Sequence, residues 1–462
     1  MTITDAPTTD RLPFHLRGNF APVVDEVTAT KLTVRGQIPR ELSGVYMRNG
    51  ANPLSGKSAH WFAGDGMIHG IRLDGGQAQW YRNRYVKTRA LDGAAQMDNM
   101  GNIDRTVGVA NTHIVSHAGK IMALVESSFP TLMTAECETI GTHDFGGKLN
   151  TAMTAHPKIC AETGEMHFFG YGYFAPFLTY HRCDAAGNLI QTEEIAAHGA
   201  TMIHDFAMSR NHVIFMDLPV IFDLDLAVTG GMPYHWDDDY ESRFGIMPRG
   251  GHGADTKWFS INPCYVFHPM NAFDDGDEVV VDVARYPEMW RGNADAFNVA
   301  SLWRFRFNMV TGAVSEQQLD DRQVEFPRVH DGRIGLDHRF GYCAVTTDPS
   351  LPANERPSDG KSVKYDLHTG QSWEFSFGAG RMPGEVVFVP AADAKAEDDG
   401  YLMTYVYDNT TNSSDFVVLD ASDPSAAPVA VVELPQRVPF GFHGSWIADQ
   451  EVSAIGSWIA DQ

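Results

Sequence analysis

The chain has 462 residues, of which 43% are hydrophobic and 20% are charged, so it can bury a sizeable core, and an intrinsically disordered protein is excluded. Its formal net charge is −24, which disfavours nucleic acid and anionic lipid as partners because both are negatively charged.

The five cysteines are scattered along the chain and include no Cys-x-x-Cys pair. An odd number at irregular spacing predicts no disulfide framework. The first fourteen residues lack the apolar segment of a signal peptide, and no run of about 18 apolar residues is present. We therefore expect a cytoplasmic protein, and any contact with a membrane would be peripheral and apolar.

Short runs of β-branched and aromatic residues recur along the chain and predict strands. Turn signals such as Asp274–Gly276 lie between them and indicate hairpins. The predicted strands cover residues 121–125, 166–169, 212–216, 278–282, 303–307, 386–389, 401–407 and 416–420.

Long helical periodicity is nearly absent, and 43 glycines and 24 prolines interrupt the chain too often for long helices. Many evenly spaced hairpins predict an all-β fold, and a β-propeller is the arrangement that protects so many strand edges. We expect one such domain over residues 1–462, with residues 1–20 as an N-terminal arm. No repeat is visible in the sequence, so the number of blades is not derivable from it.

Three segments rich in aromatic residues, Pro and Met interrupt the hairpins, at residues 171–180, 217–244 and 285–298. Loops of this kind at one end of a rigid scaffold commonly form a roof over a binding site, although they could equally cap a hydrophobic core. The aromatic residues that we expect to contact a substrate are Phe174, Phe177, Trp236 and Phe267.

A heptapeptide is repeated at the end of the chain. Gly444–Gln450 recurs as Gly456–Gln462, and a histidine precedes only the first copy. We interpret residues 451–462 as a duplicated tail to which no function is assigned.

Four histidines stand beside aromatic residues, Pro or Gly where predicted strands begin or end, and they are His156, His204, His268 and His443. Inward strand ends around a propeller axis would bring four imidazoles together, and imidazole is a ligand for iron, copper, zinc and nickel. Their uneven spacing excludes a zinc finger or a His-Glu-x-x-His helix. With 19 histidines in the chain, four of them do not establish a metal site without further observations.

Three glutamates, Glu126, Glu325 and Glu385, lie in otherwise apolar runs, where a charge is costly unless it is paired. A metal-bound histidine usually donates its other N–H to a carboxylate, so these residues fit a metal site. For any one of them, the ordinary alternative is a strand-end glutamate that faces water or pairs with arginine.

Several ordered motifs resemble those of the carotenoid cleavage oxygenase family. Tyr46–Pro53 and His60–Met67 resemble its N-terminal signature, and further matches extend the resemblance from about residue 40 to residue 445. The segments that resemble iron-ligand and carboxylate segments of the family lie at residues 123–126, 155–158, 202–206, 267–271, 325–328, 384–390 and 441–444.

The resemblance implies a seven-bladed propeller with a roof of loops and short helices over non-haem Fe(II) on its axis. The implied catalytic residues are the four histidines, as iron ligands, and Thr112, whose methyl group would block one open position. It also implies that Glu126, Glu325 and Glu385 are partners of His204, His268 and His443, which leaves His156 without one. The implied reaction adds O2 to an alkene and yields two carbonyl products, without an organic cofactor.

The resemblance does not define the alkene, because members of the family cleave carotenoids, apocarotenoids, stilbenes and phenylpropenes. Relatives that act on 4-hydroxystilbenes carry a lysine before the first glutamate, where this chain has Val125, and residues 92–102 lack the expected tyrosine. We therefore favour a carotenoid or apocarotenoid over a stilbene or phenylpropene. A propeller that binds without catalysis is the alternative from another functional class.

Overall fold

The computed structural model describes residues 12–98, 100–228, 232–292, 297–347 and 359–451. Strands dominate these residues, which confirms the predicted all-β class. Within them the single α-helix, α1, covers Leu224–Val228, and short 3₁₀ helices cover Phe14–Leu16, Gly18–Phe20, Trp61–Ala63, Gly253–Asp255 and Asp331–Arg333.

The strands of the first half of the chain are short and closely spaced, as the turn signals predicted. They are β1 (Thr28–Ala29), β2 (Thr33–Gly36), β3 (Gly44–Ala51), β4 (Gly66–Asp74), β5 (Gln77–Tyr85), β6 (His113–His117), β7 (Lys120–Leu124), β8 (Thr131–Met133), β9 (Thr139–Thr142), β10 (Lys158–Ile159), β11 (Met166–Tyr171), β12 (Leu178–Cys183), β13 (Leu189–Ile195), β14 (Ala207–Met208), β15 (His212–Asp217), β16 (Val220–Phe222) and β17 (Tyr234–Trp236).

The second half continues in the same manner. Its strands are β18 (Arg243–Pro248), β19 (Lys257–Ser260), β20 (Tyr265–Asp275), β21 (Glu278–Tyr286), β22 (Ser301–Asn308), β23 (Val314–Gln318), β24 (Val324–Arg328), β25 (Phe340–Val345), β26 (Asp359–Asp366), β27 (Gln371–Ala379), β28 (Arg381–Pro383), β29 (Val387–Pro390), β30 (Gly400–Asp408), β31 (Ser413–Asp420), β32 (Ala430–Glu433) and β33 (Gly444–Ala448). All eight strands predicted from the sequence overlap one of the observed strands.

In the part of the chain that the structure describes, these strands form seven antiparallel blades and one separate hairpin, β16–β17. The seven-bladed propeller implied by the resemblance is therefore confirmed. In strand order the blades are β33-β3-β4-β5-β1, β6-β7-β8-β9, β10-β11-β12-β13, β14-β15-β18-β19, β20-β21-β22-β23, β24-β25-β26-β27, and a last blade in which β28 and β29 pair with β30, followed by β31, β32 and β2.

The ring is closed twice, by strands from opposite ends of the chain. Strand β33 pairs with β3, and strand β2 pairs with β32. Next to β33, Asp449 forms an ion pair with Arg72 and accepts a hydrogen bond from Ser43. Closure in this way joins strands from both ends of the chain within the first and the last blade.

The inner strand β20 is almost completely buried. In β20, all nine residues from Tyr265 to Phe273 are buried. An inner strand of this kind is covered by neighbouring blades on both faces, so it reads as a continuous apolar run. The outer strand β13 alternates buried or half-buried positions with exposed ones, which is typical of a strand with one solvated face.

The aromatic segments contribute to a cover at one end of the propeller. The hairpin β16–β17 lies outside the blades, and its Phe222 stacks on Tyr173 with ring centroids 4.1 Å apart. The described part of the N-terminal arm joins this cover, because Phe14 and Phe20 pack edge-on against Trp61. The first copy of the repeated heptapeptide contains β33, whereas residues 452–462 of the expected tail lie outside the described residues.

Closure of the ring by β33 predicts that two substitutions of Ile447 differ strongly in their effect on the free energy of unfolding. Ile447 is a fully buried residue of β33. Ile447→Asp should lower the free energy of unfolding by more than about 3 kcal/mol, because an unpaired charge is buried between blades. Ile447→Val should cost only about 0.5–1.5 kcal/mol, because it removes one methylene group. Denaturant unfolding measures both, and equal effects would show that β33 does not hold the ring closed.

Candidate metal centre

Four histidines converge on the propeller axis because each is positioned by the inner strand of a different blade. His443 immediately precedes β33, His156 precedes β10, and His204 precedes β14. His268 lies within β20, where the pairing with β21 is irregular on both sides of Pro269. A bulge of this kind re-aims a side chain out of the regular alternation of a strand.

The imidazole spacing suits a single metal ion. One nitrogen from each of the four rings lies within 4.8 Å of those of the others, and all four residues are buried. The Nε2 atoms of His156 and His204 are 3.0 Å apart. Two nitrogens that each lie about 2.1 Å from a common ion at a right angle are separated by roughly this distance.

Three of the four histidines donate Nδ1–H to a glutamate. This contact fixes the tautomer and leaves the Nε2 lone pair free to bind a metal. The Nδ1–oxygen distances are 2.7 Å for His204–Glu126, 2.7 Å for His268–Glu325 and 2.9 Å for His443–Glu385. These are the pairs that the order of the motifs suggested.

No glutamate among the described residues forms a hydrogen bond with His156. The carboxylate nearest to its Nδ1 belongs to Asp205, with Oδ2 at 3.8 Å, which is too long for a hydrogen bond. Lys158 holds Asp205 through a contact of 2.8 Å. The fourth imidazole is therefore oriented mainly by packing against the other three rings.

The glutamates are themselves held by groups that sequence reasoning missed. Tyr171 donates to the free oxygen of Glu126 at 2.6 Å, and Tyr286 donates to the free oxygen of Glu325 at 3.1 Å. Both tyrosines lie in the aromatic segments, which was the only signal available for them. Glu385 instead accepts from the Gly444 amide at 2.9 Å and lies 3.4 Å from the Arg328 guanidinium.

The backbone beside Glu325 is in an unusual conformation. Phe326 has φ = 53°, in the left-handed region that non-glycine residues seldom adopt. The register between β24 and β25 shifts at the same place, between Glu325 and Arg328. Such strain persists where the surrounding contacts impose it, and here it accompanies the turn of Glu325 towards His268.

The electrostatics of the centre favour a cation. Burial lowers the pKa of His156 and of His443 well below the ordinary value, so both rings are neutral. Burial opposes the charged form of His268 as well, but the Glu325 carboxylate outweighs it and raises the pKa. Among the described residues, Nε2 of His268 has no hydrogen-bond partner. A metal ion would satisfy this orphaned atom and the facing lone pairs, so the residues fit a bound metal.

A fifth histidine lies beside the centre and was not anticipated. His113, the first residue of β6, has its ring centroid 5.2 Å from that of His443 and 5.8 Å from that of His156. Its Nδ1 is 2.9 Å from the carbonyl oxygen of Ala155, and it is not one of the four residues whose nitrogens converge.

The neighbouring Thr112 is buried, and its carbonyl accepts a hydrogen bond from the His443 amide at 3.1 Å.

An apolar cavity of about 520 Å³ reaches His204 and His268. Thr112 and Val125 also line it. Most of its large side chains are aromatic, and they include Phe20, Trp61, Phe62, Phe267, Phe297 and Phe440.

Of the four aromatic residues expected to bind substrate, only Phe267 lines this cavity. Phe174 is 77% exposed because its loop projects into solvent, and Phe177 is half-buried outside the cavity wall. Trp236 is buried but directed elsewhere, since its indole donates to Asp238 and lies under the Arg291 guanidinium. The cavity aromatics that sequence reasoning missed, such as Trp61 and Phe62, come from the His60–Met67 motif.

Comparison with known sequences identifies relatives along nearly the whole chain. The model of the family described as "Retinal pigment epithelial membrane protein" matches residues 20–448. A carotenoid cleavage oxygenase of Mycobacterium tuberculosis is 37% identical, covering 94% of this chain and 97% of the relative. A carotenoid 9,10(9′,10′)-cleavage dioxygenase of Crocus sativus is 35% identical, covering 95% and 90%.

Solved structures agree with this result. The lignostilbene dioxygenase of Pseudomonas brassicacearum superposes with a TM-score of 0.83 at 28% identity, covering 95% of this chain and 99% of the other. A variant of the Synechocystis apocarotenoid oxygenase gives a TM-score of 0.83 at 25% identity, covering 94% and 98%.

Replacement of one carboxylate partner should weaken metal binding without unfolding the protein. Glu126→Gln keeps the shape but removes the charge that favours a well-oriented, basic His204, so metal affinity should fall about 10- to 100-fold. Glu138→Gln, at an exposed position paired with Arg84, is the matched control and should bind metal like the wild type. Metal titration in a competing chelator measures the difference, and equal affinities would contradict this role of Glu126.

Proposed function

The chain belongs to the retinal pigment epithelial membrane protein family, which contains the carotenoid cleavage oxygenases, and on this premise we propose that it cleaves a C=C bond of a carotenoid or apocarotenoid with O2 at an Fe(II) centre. Its similarity to carotenoid cleavage dioxygenases shows that it is a dioxygenase. The family acts on hydrophobic alkenes such as carotenoids and stilbenes.

The observation that carries this proposal is the position of four convergent imidazoles at an apolar cavity. Iron suits four imidazole nitrogen ligands, and the set differs from the two-histidine, one-carboxylate sites of other iron oxygenases. His156, His204, His268 and His443 would hold the ion. When bound, iron supplies the redox chemistry by which O2 reacts with an alkene.

The protein residues then hold the ligand rings, bind the alkene and exclude water. The glutamates hold Nδ1–H of three ligand rings, so that each Nε2 keeps its lone pair. The aromatic walls bind the alkene and exclude water from the reacting bond. The overall reaction balances without a reductant, because both atoms of O2 end in the two carbonyl products.

We also propose that Thr112 limits the room beside the iron. It lines the cavity, and its carbonyl is bonded to the amide of the ligand His443. Its hydroxyl contacts the Asn111 side chain at 2.9 Å, which holds the side chain in one orientation.

The cavity wall favours a carotenoid or apocarotenoid over a 4-hydroxystilbene. Val125 lines the cavity beside Glu126, at the place where stilbene-cleaving relatives carry lysine. From residues 92–102, Ala94 and Gln96 reach the cavity, and neither can accept a phenolic proton as a tyrosinate or an amine would. A stilbene or phenylpropene remains the alternative, supported by the likeness to the lignostilbene dioxygenase.

We further propose that the protein is cytoplasmic and takes its substrate from a membrane surface. All five cysteines are free and buried, which suits a reducing compartment. None of the described helices is long and apolar enough to span a membrane. Phe174, Leu224 and Val228 are 77%, 66% and 80% exposed, and the Tyr173–Phe222 stack links their two segments beside the cavity. Exposed apolar residues grouped in this way are typical of an interaction surface.

The proposed reaction predicts a defined set of products. Iron-loaded protein given β-carotene, 8′-apocarotenal, resveratrol or isoeugenol under ¹⁸O₂ should cleave a carotenoid or apocarotenoid, and rapid quenching with mass analysis should find label in both carbonyl products. His204→Ala should lose iron and activity together, because one ligand and its hydrogen bond to Glu126 are removed from the centre.

Two outcomes would contradict this proposal. Cleavage of resveratrol and isoeugenol alone would overturn the substrate class but not the reaction. A protein that binds no iron, or a His204→Ala variant that retains cleavage, would contradict the proposed reaction itself. Either result would favour a propeller that binds a ligand without catalysis.

The membrane proposal predicts that exposed apolar residues control vesicle binding. Phe174→Asp combined with Val228→Asp should weaken binding to neutral phosphatidylcholine vesicles at least tenfold, because two apolar side chains no longer enter the interface. Val310→Asp, at a position that is also exposed, is the control and should bind like the wild type. Vesicle co-sedimentation measures the difference, and unchanged binding by the double variant would contradict the proposed surface.

A further inference from the structure

Three tyrosines line the cavity on the side of Glu126. Tyr171 ends β11, Tyr173 follows in the next loop, and Tyr234 begins β17. All three line the cavity. We refer to Tyr171, Tyr173 and Tyr234 as the tyrosine cluster.

The tyrosine cluster lies next to the metal centre. Tyr171 donates its proton to Oε1 of Glu126 at 2.6 Å, while Oε2 of the same carboxylate accepts from His204. A single carboxylate therefore separates the cluster from a ligand imidazole. A group bound by the cluster would be close to the reacting bond.

The other two hydroxyls have unused hydrogen-bonding capacity. The Tyr234 hydroxyl interacts with those of Tyr171 and Tyr173, and in the described part of the chain neither Tyr173 nor Tyr234 bonds to a carboxylate or a backbone carbonyl through its hydroxyl. A tyrosine hydroxyl offers one donor and two acceptor positions, so a mutual contact leaves at least one donor and several lone pairs. Buried hydroxyls without full partners are costly.

The rings of Tyr173 and Tyr234 are held in place by contacts with Phe222. Tyr173 stacks on Phe222 at 4.1 Å, and Phe222 packs edge-on against Tyr234 at 6.0 Å. Phe222 and Tyr234 are paired residues of the β16–β17 hairpin. The hairpin therefore carries Tyr234 and packs Phe222 against the ring of Tyr173, so both rings are held by one rigid element, as expected of a specific contact.

We propose that Tyr173 and Tyr234 bind a hydroxyl or carbonyl oxygen of the substrate, so that this enzyme prefers an oxygenated alkene over a hydrocarbon of the same size. This inference rests on the proposed function, because it assumes that the alkene occupies the cavity. It narrows the substrate class to apocarotenoids or hydroxylated carotenoids.

The chemistry of the cluster suits a neutral oxygen. Burial raises the pKa of Tyr173, and burial together with the neighbouring Tyr173 raises that of Tyr234 well above the ordinary value. Both side chains therefore stay protonated, and the Tyr173 hydroxyl, whose proton is not donated within the cluster, acts as the donor. They would bind a carbonyl or hydroxyl oxygen and would not deprotonate a hydroxyl group. This role agrees with the presence of valine rather than lysine at position 125.

Ligand binding under anaerobic conditions tests this inference separately from turnover. The probes are 8′-apocarotenal and a hydrocarbon polyene of equal length, with quenching of tryptophan fluorescence as the readout. Wild-type protein should bind the aldehyde about 5- to 10-fold more tightly, as expected for one or two hydrogen bonds to a neutral oxygen. In the double variant Tyr173→Phe, Tyr234→Phe, the ratio of the affinity for the aldehyde to that for the hydrocarbon should fall to nearly one. The affinity for the hydrocarbon should stay that of the wild type.

Tyr407→Phe is the matched control, because the Tyr407 hydroxyl contacts Asn412 away from the cavity. It should keep the wild-type preference. Equal affinity of the wild type for both ligands, or an unchanged preference in the double variant, would overturn the inference. An equal loss of affinity for both ligands in the double variant would also overturn the inference, because it would show that the tyrosines only shape the cavity.

The two proposals fail in different ways. A preference for the aldehyde without any cleavage would leave the oxygen contact intact and contradict the proposed reaction. Cleavage of both ligands with no preference for the aldehyde would leave the reaction intact and contradict the contact.

Discussion

The structure depends on one electrostatic constraint, which is that four buried imidazoles direct lone pairs at a single point. The Nε2 atoms of His156 and His204 are 3.0 Å apart, and Nε2 of His268 has no hydrogen-bond partner among the described residues. Such an arrangement is repulsive unless a cation or a shared proton lies between the rings. The carboxylates behind the rings make it persistent, because they hold Nδ1–H and prevent the lone pairs from turning away.

The constraint explains how the propeller and the centre are connected. Every blade contributes one residue to the four imidazoles and their three carboxylates, so the centre joins strands that are far apart in the sequence. From the first blade to the last, these residues are His443, Glu126, His156, His204, His268, Glu325 and Glu385. The double closure by β2 and β33 keeps the ring at the diameter that this convergence requires.

The sequence predicted the strands, the fold class, the histidines and the glutamates, because each has a local signal. A glutamate such as Glu325 in an apolar run requires a partner, and β-rich runs between turn signals predict strands. The tyrosines that hold the glutamates could not be predicted, because Tyr171 and Glu126 are brought together only by the packing of adjacent blades. The cavity wall was predicted poorly for the same reason. Phe174 and Trp61 look alike in sequence, but one faces solvent and the other faces the cavity.

The central claim is that four imidazoles, and no other protein side chain, bind one iron. X-ray absorption at the iron K-edge tests it most directly on purified, iron-loaded protein. We expect one iron per chain with about four imidazole nitrogens near 2.1 Å and the scattering pattern of imidazole rings. A carboxylate-dominated or sulfur-containing first coordination sphere, or the absence of specifically bound iron, would contradict it.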